Sequence, residues 1–447
     1  MTALSGPIVF NNSGSGSDTQ ASGCGPSSAI TINMMVSSGS NTTSSAMWST
    51  STGTISAGDI VYANTTTGRK FNVVASANNS VGFQSITFDE TWGDNFSGNA
   101  YCGGKRSTID NADSRLLFHN DVTAEGWNIE IEHTGSDYSL TSQLELSGRK
   151  TITGTGSSKP SISISNFAAS AIEVVTGYTS FTLLHDYHFK FLDFSASADR
   201  AYPSDTTVFS MANGSAYCFA DCTFNNGSGD FDVLFNTSVP VVFRKCVFTG
   251  SVASVFNTQV AALGCNFNGG QYQILNSGGQ LAKVVGCTFD GATVSAVEGK
   301  ATSAVNNIFY GCVLGLKSGL NSQSRGLDSI AYGNIFDSCT TGISGYSSIT
   351  ITGNNFNGNT ADTSLTDSDT GTNPTNLSYS LLTDPANDDF TLDADGSTQS
   401  VSFKPLGDSS SSGAAPALVS RPLRSFDDTT PSSGGIIPVS LNGGMNG

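Results

Sequence analysis

Charge is the scarcest commodity in this chain. Charged residues occupy 12% of its 447 positions, about half the ~25% usual for a soluble domain. The 19 Lys+Arg are outnumbered by 36 Asp+Glu, for a net charge of -17, a balance that repels phosphate and excludes a nucleic-acid partner. The Ala, Glu, Lys, Leu and Arg of long-helix proteins are thinly supplied, and no run of ~18 apolar residues exists to cross a membrane as a helix. The start, MTALSGPIVFNNSGSG, lacks a cationic stretch leading into an apolar one, so it does not read as a secretory signal. Nine cysteines is an odd number, which disfavours a disulfide framework. Folding in a reducing cytoplasm is the expectation. Only 4 His are available to bind metal or shuttle protons. Disorder throughout is excluded by a 37% hydrophobic content that includes 27 Phe.

What the chain does have is a repeat. A three-residue pattern returns seven times, as CTF (222–224), CVF (246–248), CNF (265–267), CTF (287–289), NIF (307–309), NIF (334–336) and NNF (354–356). The spacing between successive Phe is uneven, running from 19 to 27 residues. Helical-pair arrays keep a nearly fixed period and are excluded. A solenoid whose turns share a core strand and differ in one loop fits. Two residues before each Phe stand Cys222, Cys246, Cys265, Cys287, Asn307, Asn334 and Asn354. Strand side chains alternate faces, so this column and the Phe column point the same way, inward. Small residues follow three after the Phe (Gly227, Ser251, Gly270, Ala292, Cys312, Cys339, Asn359), as a tight corner requires. Apolar ones follow seven after it (Phe231, Val255, Ile274, Ala296, Leu316, Ile343). One turn alone cannot bury its Phe. Stacked turns place ring upon ring at ~4.8 Å per turn and line up the Asn amides along the axis.

This arrangement resembles the right-handed parallel β-helix of the pectate-lyase-like superfamily over roughly 120–370, with less regular upstream turns at 127–132, 142–156, 161–167 and 189–194. DPANDDFTLDAD (384–395) resembles the closing segment of many bacterial β-helices. SGSGSDTQASGCGP (13–26) and YCGGKRSTIDNADSRLLF (101–118) resemble N-terminal portions of phage virion proteins that carry β-helices. The expected architecture is all-β. A small antiparallel module at 1–115 caps the first turn and attaches the protein, a solenoid fills 116–372, and a closing segment and extended tail occupy 373–447. Five of the 12 Pro fall in the last 43 residues (Pro405, Pro416, Pro422, Pro431, Pro438), where PPII-like chain is expected.

Candidate chemistry is sparse. The outward position after each Phe carries Asn225, Thr249, Asn268, Asp290, Tyr310, Asp337 and Asn357. Asp290 and Asp337 therefore stand two turns apart, ~9.6 Å, with Tyr310 between them. That is close to the ~6.5–9.5 Å of an inverting glycosidase pair. The preference of Asn and Asp for corners accounts for the same residues without any chemistry. Arg325 and Asp328, in the longest return loop, suit a surface ion pair. His185 and His188 fall on opposite faces of a strand. LDADG (392–396) lacks the downstream Glu of a calcium loop. The cysteine column runs along an axis, whereas zinc ligands converge on one point. No metal or cofactor is expected.

The resemblance implies a non-enzymatic structural protein of a phage virion, assembled in the host cytoplasm and displayed on the particle. It would serve as capsid decoration or as a short tail spike or fibre, trimeric, with capsid or tail proteins as partners. The alternative is a tailspike-like hydrolase or lyase acting on host surface polysaccharide through Asp290, Asp337 and Tyr310. A secreted adhesin suits the closing segment but not the missing signal.

Overall fold

The computed structural model describes residues 2–392 except 18–19, 110–126, 142–143, 147–149, 165–171, 175–185, 197–208, 212–215, 226–234, 238–240, 251–254, 257–259, 319–328, 346–348, 366–368 and 371–380. The Pro-rich tail, the apolar positions Phe231 and Val255 and the small positions Gly227 and Ser251 lie outside what can be described at side-chain level.

The chain is a parallel β-solenoid. Among the described residues, one wall is a ten-stranded parallel sheet that advances rung by rung from Tyr138–Leu140 to Asn355–Asn357. It contains all seven strands of the repeat. Phe224 pairs in register with Phe248, and so on through Phe267, Phe289, Phe309, Phe336 and Phe356. Their rings stack nearly parallel, with centroids 4.4 to 5.1 Å apart and interplanar angles of 4° to 14°. Below Phe224 the column continues through Phe194, Ile162 and Tyr138. Every member is buried.

The facing sheet supplies a second column. Phe189, Phe219 and Phe243 stack at 4.7 and 5.5 Å and meet the first ladder edge-on, for example Phe243 against Phe248 at 83°. Beyond Phe243 the column shrinks to Ala262, Val284, Ala304, Ala331 and Ile351, all buried. The space left by the smaller residues lies inside the apolar core that also holds Ile274, Ala296, Leu316 and Ile343 from the +7 column.

A left-handed residue makes the bend that opens each rung of the repeat. The residue before each ladder Cys or Asn is left-handed: Asp221, Lys245, Gly264, Gly286, Asn306, Gly333 and Gly353, with φ between 50° and 66°. Its N–H still bonds upward, Lys245 to Leu263 O and Gly286 to Val305 O, both at 3.0 Å. An L residue loses about 1–2 kcal/mol in this conformation, while Gly brings an entropic cost of about 0.5–1 kcal/mol. Exposed Lys245 contributes nothing to the core. Lys245→Gly should therefore raise stability by up to about 1 kcal/mol, and Gly286→Ala should lower it by about 1 kcal/mol. Denaturant midpoints of the two variants check this, and shifts of the same sign would refute the corner account.

The N-terminal module is a six-stranded antiparallel sheet whose own core includes Trp48, Trp92, Phe88 and Phe96. The strand that precedes it in the chain belongs to the solenoid. Ile8–Phe10 runs parallel to Trp127–Glu132, pairing Ile8 with Ile129 and Phe10 with Ile131. The solenoid's main sheet thus begins within the first ten residues, and Ile8 and Phe10 share the solenoid core.

Candidate functional site

Strand pitch decides where the candidate residues fall. Asp290 pairs with Tyr310 and Tyr310 with Asp337 in successive rungs, so the three form one column on the outer wall. Their surroundings differ. Asp337 is only 2% exposed; its Oδ1 accepts from Ser338 Oγ at 2.7 Å and its Oδ2 from Asn357 Nδ2 at 3.0 Å. Asp290 is half-buried, and burial, reinforced by the charge of Asp388, raises its carboxyl above the ordinary 3.8. The Tyr310 phenol is raised as well, by burial and by the charges of Asp337, Asp290 and Asp384. The raised Asp290 carboxyl and the hydrogen-bonded Asp337 carboxyl stand two rungs apart, with Tyr310 between them.

A hairpin packs against part of this wall. Leu382–Asp384 and Asp389–Leu392 pair antiparallel around the 3-10 turn Pro385–Asn387. Leu381, Leu382 and Phe390 of this hairpin gather against Ile308 and Ile335 of the wall. The Phe390 ring meets Tyr310 edge-on at 5.8 Å. Ile308 and Ile335 occupy the outward position before the Phe, a column that reads Thr223, Val247, Asn266, Thr288 in earlier rungs. Two isoleucines together on an outward face are the sequence signal of a covered wall.

The inward column holds different chemistry. Cys222, Cys246, Cys265 and Cys287 are free and buried. Cys222 Sγ donates to Phe189 O at 3.5 Å and Ala220 O at 3.4 Å; Cys246 Sγ and Cys287 Sγ repeat the pattern one and three rungs on. Burial pushes the Cys222 and Cys265 thiols up, so they stay protonated donors. Where Asn takes over, the amides bond to one another. Asn307 Nδ2 donates to Asn334 Oδ1 at 2.9 Å and Asn334 Nδ2 to Asn354 Oδ1 at 2.8 Å. Cys312 and Cys339 form a second thiol column behind the following corner.

Among the described residues, no group of three or more His, Cys, Asp or Glu is arranged to hold a metal ion, and no helix is long and apolar enough to cross a membrane. His185, Arg325, Asp328 and residues 393–396 of LDADG lie outside the described residues. His188 falls on the strand Asp186–Lys190, its backbone paired with Thr151 and Cys218.

Together these features define a parallel β-helix with internal aromatic, thiol and amide ladders and an antiparallel module at its N-terminal end. No family model matches the chain, and no curated protein matches it in sequence. Among solved structures it is similar to the crystal structure of bacteriophage CBA120 tailspike protein 3, with 16% identity and a TM-score of 0.39. The likeness covers 56% of this chain and 47% of that one, so the chain spans about half the length of the tailspike. A superposition that loose carries no argument about activity.

Proposed function

We propose that this chain is a structural protein of a bacteriophage virion, carried on the particle surface as capsid decoration or as a short tail spike or fibre, and assembled as a homotrimer in the host cytoplasm. The observation that carries this reading is the use made of the wall. The chain's own hairpin packs on the outward Ile308 and Ile335 and sets its Phe390 ring against Tyr310 of the acid column, where a catalytic groove would stand open. The interior is built for rigidity, with ring, thiol and amide ladders in register. Protonated thiols bonded to carbonyls suit folding in a reducing compartment. The likeness of 13–26 and 101–118 to N-terminal portions of phage virion proteins gives the antiparallel module the attachment role, with capsid or tail proteins as its partners.

Mass spectrometry of purified particles and sedimentation of the free protein test this. The expected outcome is the chain among the virion proteins and a species of three copies. A stable monomer, both free and in the particle, would overturn the trimer and the reading built on it.

A second reading has one observation in its favour, the raised Asp290 carboxyl stacked in line with Tyr310 and Asp337. In that reading the protein hydrolyses or eliminates host surface polysaccharide. Release of new reducing ends or unsaturated products, lost in a folded Asp290→Asn variant by about 100-fold or more, is what it requires. No product from the correct host glycan would dismiss it.

A further inference from the structure

Three chain segments meet at the N-terminal end of the solenoid and bring an amine, a carboxylate and an amide together. Asn11 follows the strand Ile8–Phe10, Glu132 ends the strand Trp127–Glu132 that pairs with it, and Lys105 follows Phe96–Cys102 of the antiparallel module. Each is held by its backbone. Asn11 N donates to Arg106 O at 2.6 Å, Lys105 O accepts from Ser17 N at 2.7 Å, and Glu132 pairs with Thr155 of the next rung. Lys105 Nζ donates to Glu132 Oε1 at 2.7 Å and to Oε2 at 2.8 Å. Asn11 Nδ2 donates to the same Oε2 at 2.6 Å. The other side of the amide is engaged as well, since Asn11 Oδ1 accepts from Ser13 N at 3.0 Å and Ser13 Oγ at 2.8 Å. Asn11 is buried, and the Lys105 and Glu132 side chains are 33% and 28% exposed. Burial works to raise the Glu132 carboxyl, but hydrogen bonds from Lys105 and Asn11 carry it below the ordinary 4.5, so it rests as a carboxylate, the form a base requires.

We propose that this cluster forms an intramolecular isopeptide bond between Lys105 and Asn11. Glu132 takes a proton from the Lys105 ammonium, and rotation about the outer lysine bonds carries the freed amine from Oε2 to Asn11 Cγ, which it attacks. Negative charge gathers on Oδ1, where the N–H and O–H of Ser13 already point. The Nζ–Cγ bond forms, the Cγ–Nδ2 bond breaks, and ammonia leaves. Of the two protons that Nζ gives up, one reaches Nδ2 through Glu132 and departs in the ammonia, and the other passes from Glu132 to solvent. One amide replaces another, so no oxidant or co-reactant is needed. Holding amine, base and amide in one folded site makes the aminolysis intramolecular, and well-oriented pairs of this kind reach effective concentrations of about 10⁵ M or more. The bond fastens the first strand of the main sheet, which pairs over only Ile8, Val9 and Phe10, to the module. It stands or falls independently of the virion reading.

Intact mass and peptide mapping of the full-length chain, after incubation at about pH 9, test this. Mildly alkaline solution is chosen because only a neutral amine attacks, and its population grows toward the ordinary lysine value of about 10.4. The wild-type chain should be lighter than its sequence by one ammonia, about 17 Da. Lys105 and Asn11 should be recovered in one cross-linked peptide, with no trypsin cleavage after Lys105. Lys105→Arg keeps the charge and can still grip Glu132, but a guanidinium stays protonated and does not attack, so this variant should keep its full mass. Glu132→Gln should form the bond at least about 100-fold more slowly. Circular dichroism of both variants checks that they fold. A wild-type chain at full mass, an ammonia loss that survives Lys105→Arg, or an undiminished rate in Glu132→Gln would each overturn the proposal.

Discussion

Phe289→Ala is expected to cost about 4 kcal/mol, nearly half of what a typical domain has to lose. Phe289 is fully buried, with Phe267 stacked 4.8 Å below it and Phe309 5.0 Å above, at interplanar angles of 9° and 8°. Truncation removes the transfer energy of the ring and both stacking partners, worth about 0.5–1.5 kcal/mol each beyond area. It also leaves a void that cannot close. The neighbouring rungs are held at strand spacing by their own backbone bonds, Asn266 N to Cys246 O and Ile308 N to Cys287 O, each at 2.9 Å. A rung cannot sink into the gap without breaking them, so the upper part of the range for Phe→Ala applies. Because each turn contacts mainly its neighbours, the damage should also be local. Hydrogen exchange should rise first in the rungs at 266–268 and 308–310, with the N-terminal sheet little affected. Phe83→Ala sets the scale, since Phe83 is 80% exposed and its loss should fall within about 0.5 kcal/mol. Similar denaturant midpoints for the two variants would mean that the ladder is not what holds the rod.

The contrast between those two phenylalanines explains which parts of this fold are legible in sequence. The Phe224-to-Phe356 column is visible because strand alternation fixes its distance to the Cys/Asn column at two residues, whatever the loops between rungs do. The facing column, which runs from Phe189, Phe219 and Phe243 through Ala262 and Val284 to Ile351, follows the same geometry and is not visible. Its members range from Ala to Phe, because a core of fixed cross-section can trade a large residue on one wall for a small one on the other. The left-handed corner hides for a similar reason. Gly264 and Gly286 mark it, but Asp221, Lys245 and Asn306 take the same conformation at a cost of about 1–2 kcal/mol, which a long stack can carry. The site divides along the same line. Register alone puts Asp290, Tyr310 and Asp337 in one column, and the structure places them there. The hairpin beside them is not legible, because it is supplied by residues 381–392, far along the chain, and its seat on Ile308 and Ile335 lies in the column before the Phe rather than the one after it.

Asn334→Ala should be as damaging as many core truncations, at about 3 kcal/mol, although it removes no apolar surface. Asn334 lies fully buried at the centre of the amide ladder. Its Oδ1 accepts from Asn307 N and Asn307 Nδ2, both at 2.9 Å, while its Nδ2 donates to Asn354 Oδ1 at 2.8 Å and Ala304 O at 3.0 Å. Alanine leaves the Asn307 backbone N–H without that acceptor and takes a donor from Ala304 O in an interior where each stranded polar group costs about 1–3 kcal/mol. The rungs below show a cheaper occupant. In the same column Cys287 Sγ accepts from Cys265 N at 3.4 Å and donates to Ala262 O at 3.3 Å, so a thiol meets both backbone demands, more weakly. Asn334→Cys should therefore cost less than half as much as Asn334→Ala. Asn334→Asp isolates the role of the donor. The carboxylate keeps both acceptor contacts, loses the donation to Asn354 Oδ1 and Ala304 O, and adds a buried charge. It should be the least stable of the three at neutral pH. Its folded-state pKa must be raised, since burial favours the protonated form and a protonated carboxyl can donate once more. Its deficit should therefore shrink as pH falls toward the ordinary aspartate range, a trend absent from the Ala and Cys variants. Denaturation midpoints of the three across pH give the order Cys, Ala, Asp from mildest to worst at neutrality. If Ala proves no worse than Cys, the amides are packing residues whose hydrogen bonds contribute little to the stability of the rod.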